Sequence, residues 1–425
     1  MSKIKSIRGR QIIDCKRRPM VEADVMLEDG SFGRASAPTG VSVGSHEAFV
    51  LRDGDLDEYR GLGVRKAVAN VNGAIASILT GMDICDQQAI DRRMIEADGT
   101  DDKHILGGNA IYAVSSACLR AFAAQRRKPV YQCLTDDDIK TVPVPSFNMI
   151  NGGQYGGFTQ SFNEFIVAPY GAATIDEAVE MAVLIFDELE RVLTKYLGHK
   201  PAVASSYGFE AISDDPEEIL DILLEAARIC GYEKRTAFGL DCASSGFYDA
   251  ASDSYLLKGC RKSADELINY TKRLSEKYPL LFIEDLLDEN DWKAFPGAVS
   301  TLTRTWIIGD DLIACNRSRL EKAWKLHACD GFVLKPNQIG TISEALDTWQ
   351  FAYERNMLTI SSGRSGGAVD DIVMDFAVGL GLKFIKNGAP QSGERIEKLN
   401  FLLRAADLTQ GCKLADLSSI IKFNK

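Results

Sequence analysis

Residues 331–338 read GFVLKPNQ. Phe332, Val333 and Leu334 form an apolar run that reads as a strand buried on both faces. Lys335 closes the run near the core boundary, where an ammonium is costly unless it is paired or put to use. The same arrangement, an apolar run closed by a polar residue, recurs through the second half of the chain. It appears at GLD (Asp241), FIED (Glu284), IIGDD (Asp310), FVLK (Lys335), TISSG (Ser361 to Gly363) and FIK (Lys386). The first gap is 43 residues, room for an extra hairpin or helix, and the later ones are 26, 25, roughly 26 and roughly 25. A repeat of that length holds one strand and one helix. It is the signature of a β/α barrel, whose site gathers at the C-terminal strand ends.

The first 140 or so residues read differently. Short strand-like runs (Val21 to Leu27, Gly33 to Ala37) mix with helical segments (Arg65 to Leu79, Asn109 to Gln125), and the stretch APTGVSVGSHEA is rich in Gly, Ser and Thr, as a mobile loop would be. Beyond Val142, strand-like runs alternate with amphipathic helices, the clearest from about Asp176 to Leu197. The expected fold class is α/β. Residues 1–140 form an N-terminal α+β capping domain and residues 141–425 a TIM-type β/α barrel.

Length and charge narrow the function. A chain of 425 residues can bury a large core. A formal charge of -11, with no concentrated basic segment, argues against nucleic-acid or anionic-membrane partners. The opening MSKIKSIRGRQII has no apolar core of a signal peptide and no run nears a membrane span, so a cytoplasmic location is expected. The ten cysteines show no C-x-x-C pair or zinc spacing and read as reduced, mostly buried small residues.

Asp241, Glu284 and Asp310 stand on three successive strands of the repeat. Three carboxylates at one mouth repel unless a cation sits between them, and all-oxygen ligands suit Mg²⁺ better than zinc. Any one acid alone reads equally well as a helix cap or ion-pair partner. Lys335 and Lys386 close later strands and would face the metal, where a divalent ion and a second ammonium should lower their pKa and fit either to take a proton from carbon. A salt bridge to one of the acids is the alternative. GRSGG at 363–367 presents Arg364 and Ser365 either to a phosphate or in a plain turn. GLG at 61–63 does not complete a dinucleotide fingerprint. The histidines at 46, 104, 199 and 327 form no ligand cluster and read as surface or helix-cap residues.

Taken in order, VEADV, GRASAPTGVSVGSHEA, NVNGAI, DGTDDKHILGGNAIYAVS, VPVPSFNMINGG, NEFIVAP, FGLDCASS, IED, GDDL, LKPNQIGTISEA, RSGG and IKNGAP give the chain a resemblance to the enolases along nearly its whole length. The resemblance implies that Asp241, Glu284 and Asp310 bind a Mg²⁺ that grips the substrate carboxylate. Lys335 would be the base that removes the α-proton, with Lys386 binding the carboxylate opposite. Ser42 would ligate a second Mg²⁺, Arg364 and Ser365 would hold the phosphate, and Glu164 would act on the departing hydroxyl. A homodimer or higher homo-oligomer is also implied.

The chain departs from the family pattern at specific places. ASSYGF stands where the family has GDEGGF, putting Ser206 at the second catalytic glutamate and Ser205 at the aspartate before it. Tyr155 replaces the histidine after NGG, Gly363 the histidine of SHRSG, Ser392 the arginine of GAP-x-R-S, and DCKRRP stands for DSRGNP. The groups that make an enolate remain. Those lost help protonate the leaving hydroxide or contact the phosphate end, and general-acid assistance is typically worth ~10²–10⁴-fold in rate. The expected function is an enolase-like lyase acting on 2-phosphoglycerate or, better suited to the departures, a close phosphate or phosphonate analogue. Two alternatives stand beside it: an epimerase or isomerase working through the same enolate, with Tyr155 as second acid or base, and a non-catalytic paralogue.

Overall fold

The computed structural model describes residues 2–41, 43–135, 137–369, 371–409 and 411–424. Near the N-terminus β1 (Ile4–Ile13), β2 (Pro19–Leu27) and β3 (Phe32–Ser36) make an antiparallel sheet in that order. On β2 alternate residues Val21, Ala23, Val25 and Leu27 are fully buried, the period-two pattern of a strand with one covered face. The covering element is the helix Gly108–Arg126. It approaches β3 so closely that a Cβ on Gly33 would collide with the backbone at Ala117 and Ala121.

The segment expected as one helix from Arg65 to Leu79 contains a π turn at Val71–Ile75. Asn72 lies in that turn and exchanges two hydrogen bonds with the Gly9 backbone, 2.8 and 3.1 Å. A helix irregularity of this kind aims a side chain that regular geometry would leave pointing elsewhere.

The rest of the chain closes a ring of eight strands: β4 (Val144–Asn151), β5 (Glu164–Ala168), β6 (Ala237–Asp241), β7 (Leu280–Glu284), β8 (Trp306–Gly309), β9 (Gly331–Leu334), β10 (Leu358–Ser362) and β11 (Phe384–Lys386). The last pairs with the first, Lys386 beside Ser146. Six strands follow the repeat read from the sequence. The gap between β6 and β7 holds a small antiparallel sheet (Tyr248–Asp249, Ser254–Leu257, Cys260–Lys262) before the helix Ala264–Lys277, which a Ser263/Glu266 capping box starts.

One strand breaks the parallel pattern. β5 runs antiparallel to both β4 and β6. Its first residue, Glu164, therefore lies at the mouth where the other strands end, opposite Asn151 and Asp241. Val144, Ile166, Ala237, Phe282, Ile308, Val333, Ile360 and Phe384 belong to one buried apolar cluster to which every ring strand contributes, with the Phe282 and Phe384 rings 5.4 Å apart. The barrel is a packed core carrying a polar mouth.

The N-terminal elements are fastened to the barrel through the start of the helix Ile342–Glu354. Asp91 accepts from the Ser343 backbone N–H and hydroxyl at 2.9 and 2.6 Å. Ser115 Oγ accepts from the Ile342 N–H at 3.0 Å, and Lys103 pairs with Glu344 at 3.0 Å. Two of the free N–H groups at that helix start are thus satisfied from another part of the fold.

All ten cysteines are free thiols, as expected, but only Cys118, Cys242, Cys315 and Cys329 are buried; Cys85 and Cys260 are exposed and the others lie between. Most of the thiols sit at helix ends and in loops rather than in the ring. Among the described residues no helix is long and apolar enough to cross a membrane.

Candidate active site

Strand register builds the acid cluster. Glu164 and Glu284 are both registered against Asp241, on either side of it, so three carboxylates stand level on adjacent strands. Asp310 follows directly on β8. Lys386, at the end of β11, reaches into this group: its Nζ lies 2.5 Å from Glu284, 3.1 Å from Asp241 and 3.3 Å from Glu164. Glu164 also accepts from Asn148 Nδ2 at 2.9 Å.

Lys335, the residue that closes β9, donates from Nζ to Asp310 Oδ2. Asp310 Oδ1 accepts from Gln338 Nε2 at 2.9 Å. A divalent ion beside them was expected to lower the pKa of either lysine, with a salt bridge to an acid as the alternative; both form such salt bridges, and with the acids alone both are raised. Burial alone would lower them, but Asp310 and Glu284 outweigh it at Lys335, and Asp241, Glu284 and Glu164 do so at Lys386. The same charges read from the other side hold Asp310 below the usual carboxylate range against its burial, through Lys335. Burial pushes both Asp241 and Glu284 up, helped by the Glu164 and Asp310 charges at Asp241 and by the Asp241 and Asp310 charges at Glu284.

Two more acids join the mouth that sequence reasoning passed over. Asp285 accepts from the Asp310 and Asp311 backbone N–H groups at 2.9 and 2.8 Å. Among the described residues, oxygens of Asp285, Asp310 and Asp311 lie within 4.8 Å of one another. Burial and the Asp310 charge raise Asp285 to about 8. The doubled acids in IED and GDD were the signal available for both.

The donors fit Mg²⁺. Asp241 and Glu284 converge on one point, now taken by the Lys386 ammonium, and the buried Glu284 Oε1 has no hydrogen-bond partner among the described residues. Every donor is a hard carboxylate oxygen.

Arg364, buried, makes a bidentate pair with Glu47 from the loop after β3, Nη1 to Oε2 at 2.6 Å and Nη2 to Oε1 at 2.9 Å. Ser365 Oγ accepts from the Val41 N–H at 2.8 Å, and Thr39 and Gly366 exchange backbone bonds. The two residues expected at the phosphate thus also hold Val41 and Glu47 against the barrel. Glu47 had no signal in the sequence beyond its place in that loop, and Ser42 lies outside the described residues.

Tyr155 and Ser206 both line the mouth, with Lys335, Lys386, Arg364, Ser365, Asp241 and Asp310. Tyr155 is half-buried and its carbonyl accepts from the Ser205 N–H at 3.1 Å. Among the described residues no histidine lines the mouth; His46 bonds Asn290 at 3.0 Å, and His327 caps the helix Arg317–Leu326.

A ring of strands whose ends present buried carboxylates and two lysines defines a class, the β/α-barrel enzymes whose site lies at that mouth. Within that class the relatives are specific. Residues 139–419 match the family model described as "Enolase, C-terminal TIM barrel domain" and residues 4–134 the "Enolase, N-terminal domain" model. The chain is 40% identical over 402 residues to the protein named Enolase from Methanococcus aeolicus, covering 94% of each. It belongs to the enolase family, carbon–oxygen lyases that generally depend on Mg²⁺.

Proposed function

We propose that this protein is an enolase-like hydro-lyase that removes the α-proton and then the β-hydroxyl of 2-phosphoglycerate, or of a close phosphate or phosphonate analogue. The supporting observation is that two lysines reach the acid-lined mouth and pair there with buried carboxylates, Lys335 with Asp310 and Lys386 with Glu284, Asp241 and Glu164. Asp241, Glu284 and Asp310 would hold one metal ion, and Ser42 would ligate a second that arrives with substrate. Bound there, Mg²⁺ would supply positive charge against the substrate carboxylate and so make its α-proton more acidic.

Lys386 has the position to bind that carboxylate. Lys335 is the base, and it accepts a proton only when Asp310 and Glu284, which hold its ammonium, are neutralised. Glu164, in contact with Lys386 and Asn148, is the carboxyl group placed to assist the departing hydroxyl. Arg364 and Ser365 would take the phosphate. Tyr155 lines the same mouth and is the group an epimerase or isomerase would use instead.

Deuterium exchange in D₂O with Mg²⁺ tests the reading on 2-phosphoglycerate and on phosphonate and non-phosphorylated analogues. Exchange accompanied by elimination is expected. Exchange without elimination moves the assignment to an epimerase or isomerase, and no exchange with any of them, in metal-loaded protein, sinks both. A dimer or larger assembly belongs to the same reading and is checked by light scattering.

A further inference from the structure

One short turn serves both the acid cluster and the N-terminal elements. Lys335 closes β9 and opens the short helix Pro336–Ile339, where the Gln338 N–H donates back to the Lys335 carbonyl at 2.9 Å. Toward the mouth this turn presents two donors to a single carboxylate. Lys335 Nζ donates to Asp310 Oδ2, and Gln338 Nε2 donates to Asp310 Oδ1 at 2.9 Å.

The same turn seats a segment from the other side of the fold. Asn337 Nδ2 donates to the Pro38 carbonyl at 3.1 Å, and the Gln338 carbonyl accepts from the Ala48 N–H at 2.6 Å. Pro38 and Ala48 bracket the segment that brings Val41 to Ser365 and Glu47 to Arg364. Both ends of that segment therefore rest on two consecutive residues, the second of which also holds Asp310.

Stability alone does not account for a glutamine at 338. The residue is fully buried, and its Oε1 has no hydrogen-bond partner among the described residues. A buried acceptor left unmade costs free energy that an apolar side chain of the same length would avoid. What the amide supplies is orientation. With one oxygen held by the Gln338 amide and the other by Lys335, the Asp310 carboxylate is fixed in one plane. Carboxylates that ligate a metal are held by such bonds from behind, and losing one typically costs about 10–100-fold in metal affinity or activity.

We propose that Gln338 is a positioning residue: it fixes the plane of the Asp310 carboxylate for a metal ion and links that plane to the seating of the 38–48 segment. Its side chain meets the acid and its carbonyl meets Ala48, so displacement of either partner is transmitted through one residue. This rests on reading Asp310 as a metal ligand, not on which reaction follows.

Mg²⁺ titration calorimetry and amide hydrogen exchange of the full-length protein test it without turnover. Gln338→Met keeps the length and loses the donor. It should weaken Mg²⁺ binding about tenfold or more, and in metal-free protein it should speed exchange of the amides of residues 43–50 about tenfold. Asn337 bonds the Pro38 carbonyl rather than an acid, yet Asn337→Ala should shift both quantities in the same direction by smaller factors. Thr348→Val shows the effect of destabilisation alone: it removes a buried hydroxyl that bonds the Cys315 and Glu344 carbonyls, and both quantities should stay at wild-type values. Wild-type Mg²⁺ affinity in folded Gln338→Met overturns the positioning role, and wild-type exchange at residues 43–50 overturns the link. Equal losses in Gln338→Met and Thr348→Val overturn both. Where Gln338→Met does not fold, wild-type values of both quantities in Asn337→Ala overturn the proposal. A protein that binds no Mg²⁺, yet exchanges faster at residues 43–50 in Gln338→Met, keeps the link and loses Asp310 as a metal ligand.

Discussion

The mouth of the barrel has two arcs built on different principles. From β6 round to β9 stand Asp241, Glu284, Asp285, Asp310, Asp311 and Lys335, and with Lys386 they form one interlocked set of buried charges. The arc near β4 and β11 carries Tyr155, Ser206 and Gly363. There the contacts include hydrogen bonds and ring contacts between segments far apart in the chain. Tyr207 Oη donates to the Cys15 carbonyl at 2.9 Å, and Lys16 donates to the Ser205 carbonyl and lies over the Tyr207 ring at 3.6 Å. Gln391 donates to the Tyr207 carbonyl, and the space a side chain at Gly363 would need is filled by Lys398. DCKRRP, ASSYGF, SGRSG and the segment after GAP are thus neighbours in space. A charge in the first arc cannot change alone because its partners would be left buried and unpaired; in the second arc the contacts are shared among four segments that lie side by side.

Lys335→Ala gives the largest expected effect. It should slow Mg²⁺-dependent α-deuterium exchange by at least ~10²–10⁴-fold, and exchange that survives unchanged would remove Lys335 from the base's role. Lys386→Met should cost ~3–5 kcal/mol in urea unfolding of metal-free protein, because Glu164, Asp241 and Glu284 would then face one another without a cation. A loss nearer the ~0–1 kcal/mol of an exposed ion pair would break the picture of an interlocked arc.

Ser206→Glu turns to the second arc. Returning a carboxyl group should raise elimination from 2-phosphoglycerate ~10²-fold, followed by product absorbance. No gain would mean that the arc works only as a block. Gly363→Ala should cost ~1–3 kcal/mol in thermal unfolding by crowding Lys398. In the double variant with Lys398→Ala that crowding term should vanish, and simple addition of the two losses would deny the contact.

The smallest effect is a pH slope. Burial lowers the Lys16 ammonium from its ordinary 10.5 to about 8. Between those values the unfolded chain binds more protons than the folded one, so stability rises as pH climbs through the window. Lys16→Met should flatten that rise in urea midpoints measured across it.

Much of this was legible from the chain. The apolar runs ending at Asp241, Glu284, Asp310, Lys335 and Lys386 are local patterns, and each does end a ring strand or directly follow one. Asp285 and Asp311 were legible as doubled acids and were passed over. The π turn at Val71–Ile75 was not, because it is fixed by Asn72 reaching Gly9, more than sixty residues away.

By itself the sequence determined the strand–helix repeat and the residue types set at its strand ends, because burial periodicity and strand termination are properties of short segments. Only the tertiary structure decided that β5 runs backwards and brings Glu164 to the mouth. It also decided that the acids by themselves raise both lysines, and that Glu47 closes on Arg364. Each depends on distances between segments that ring closure brings together, and electrostatic energy in a buried site is a sum over those distances.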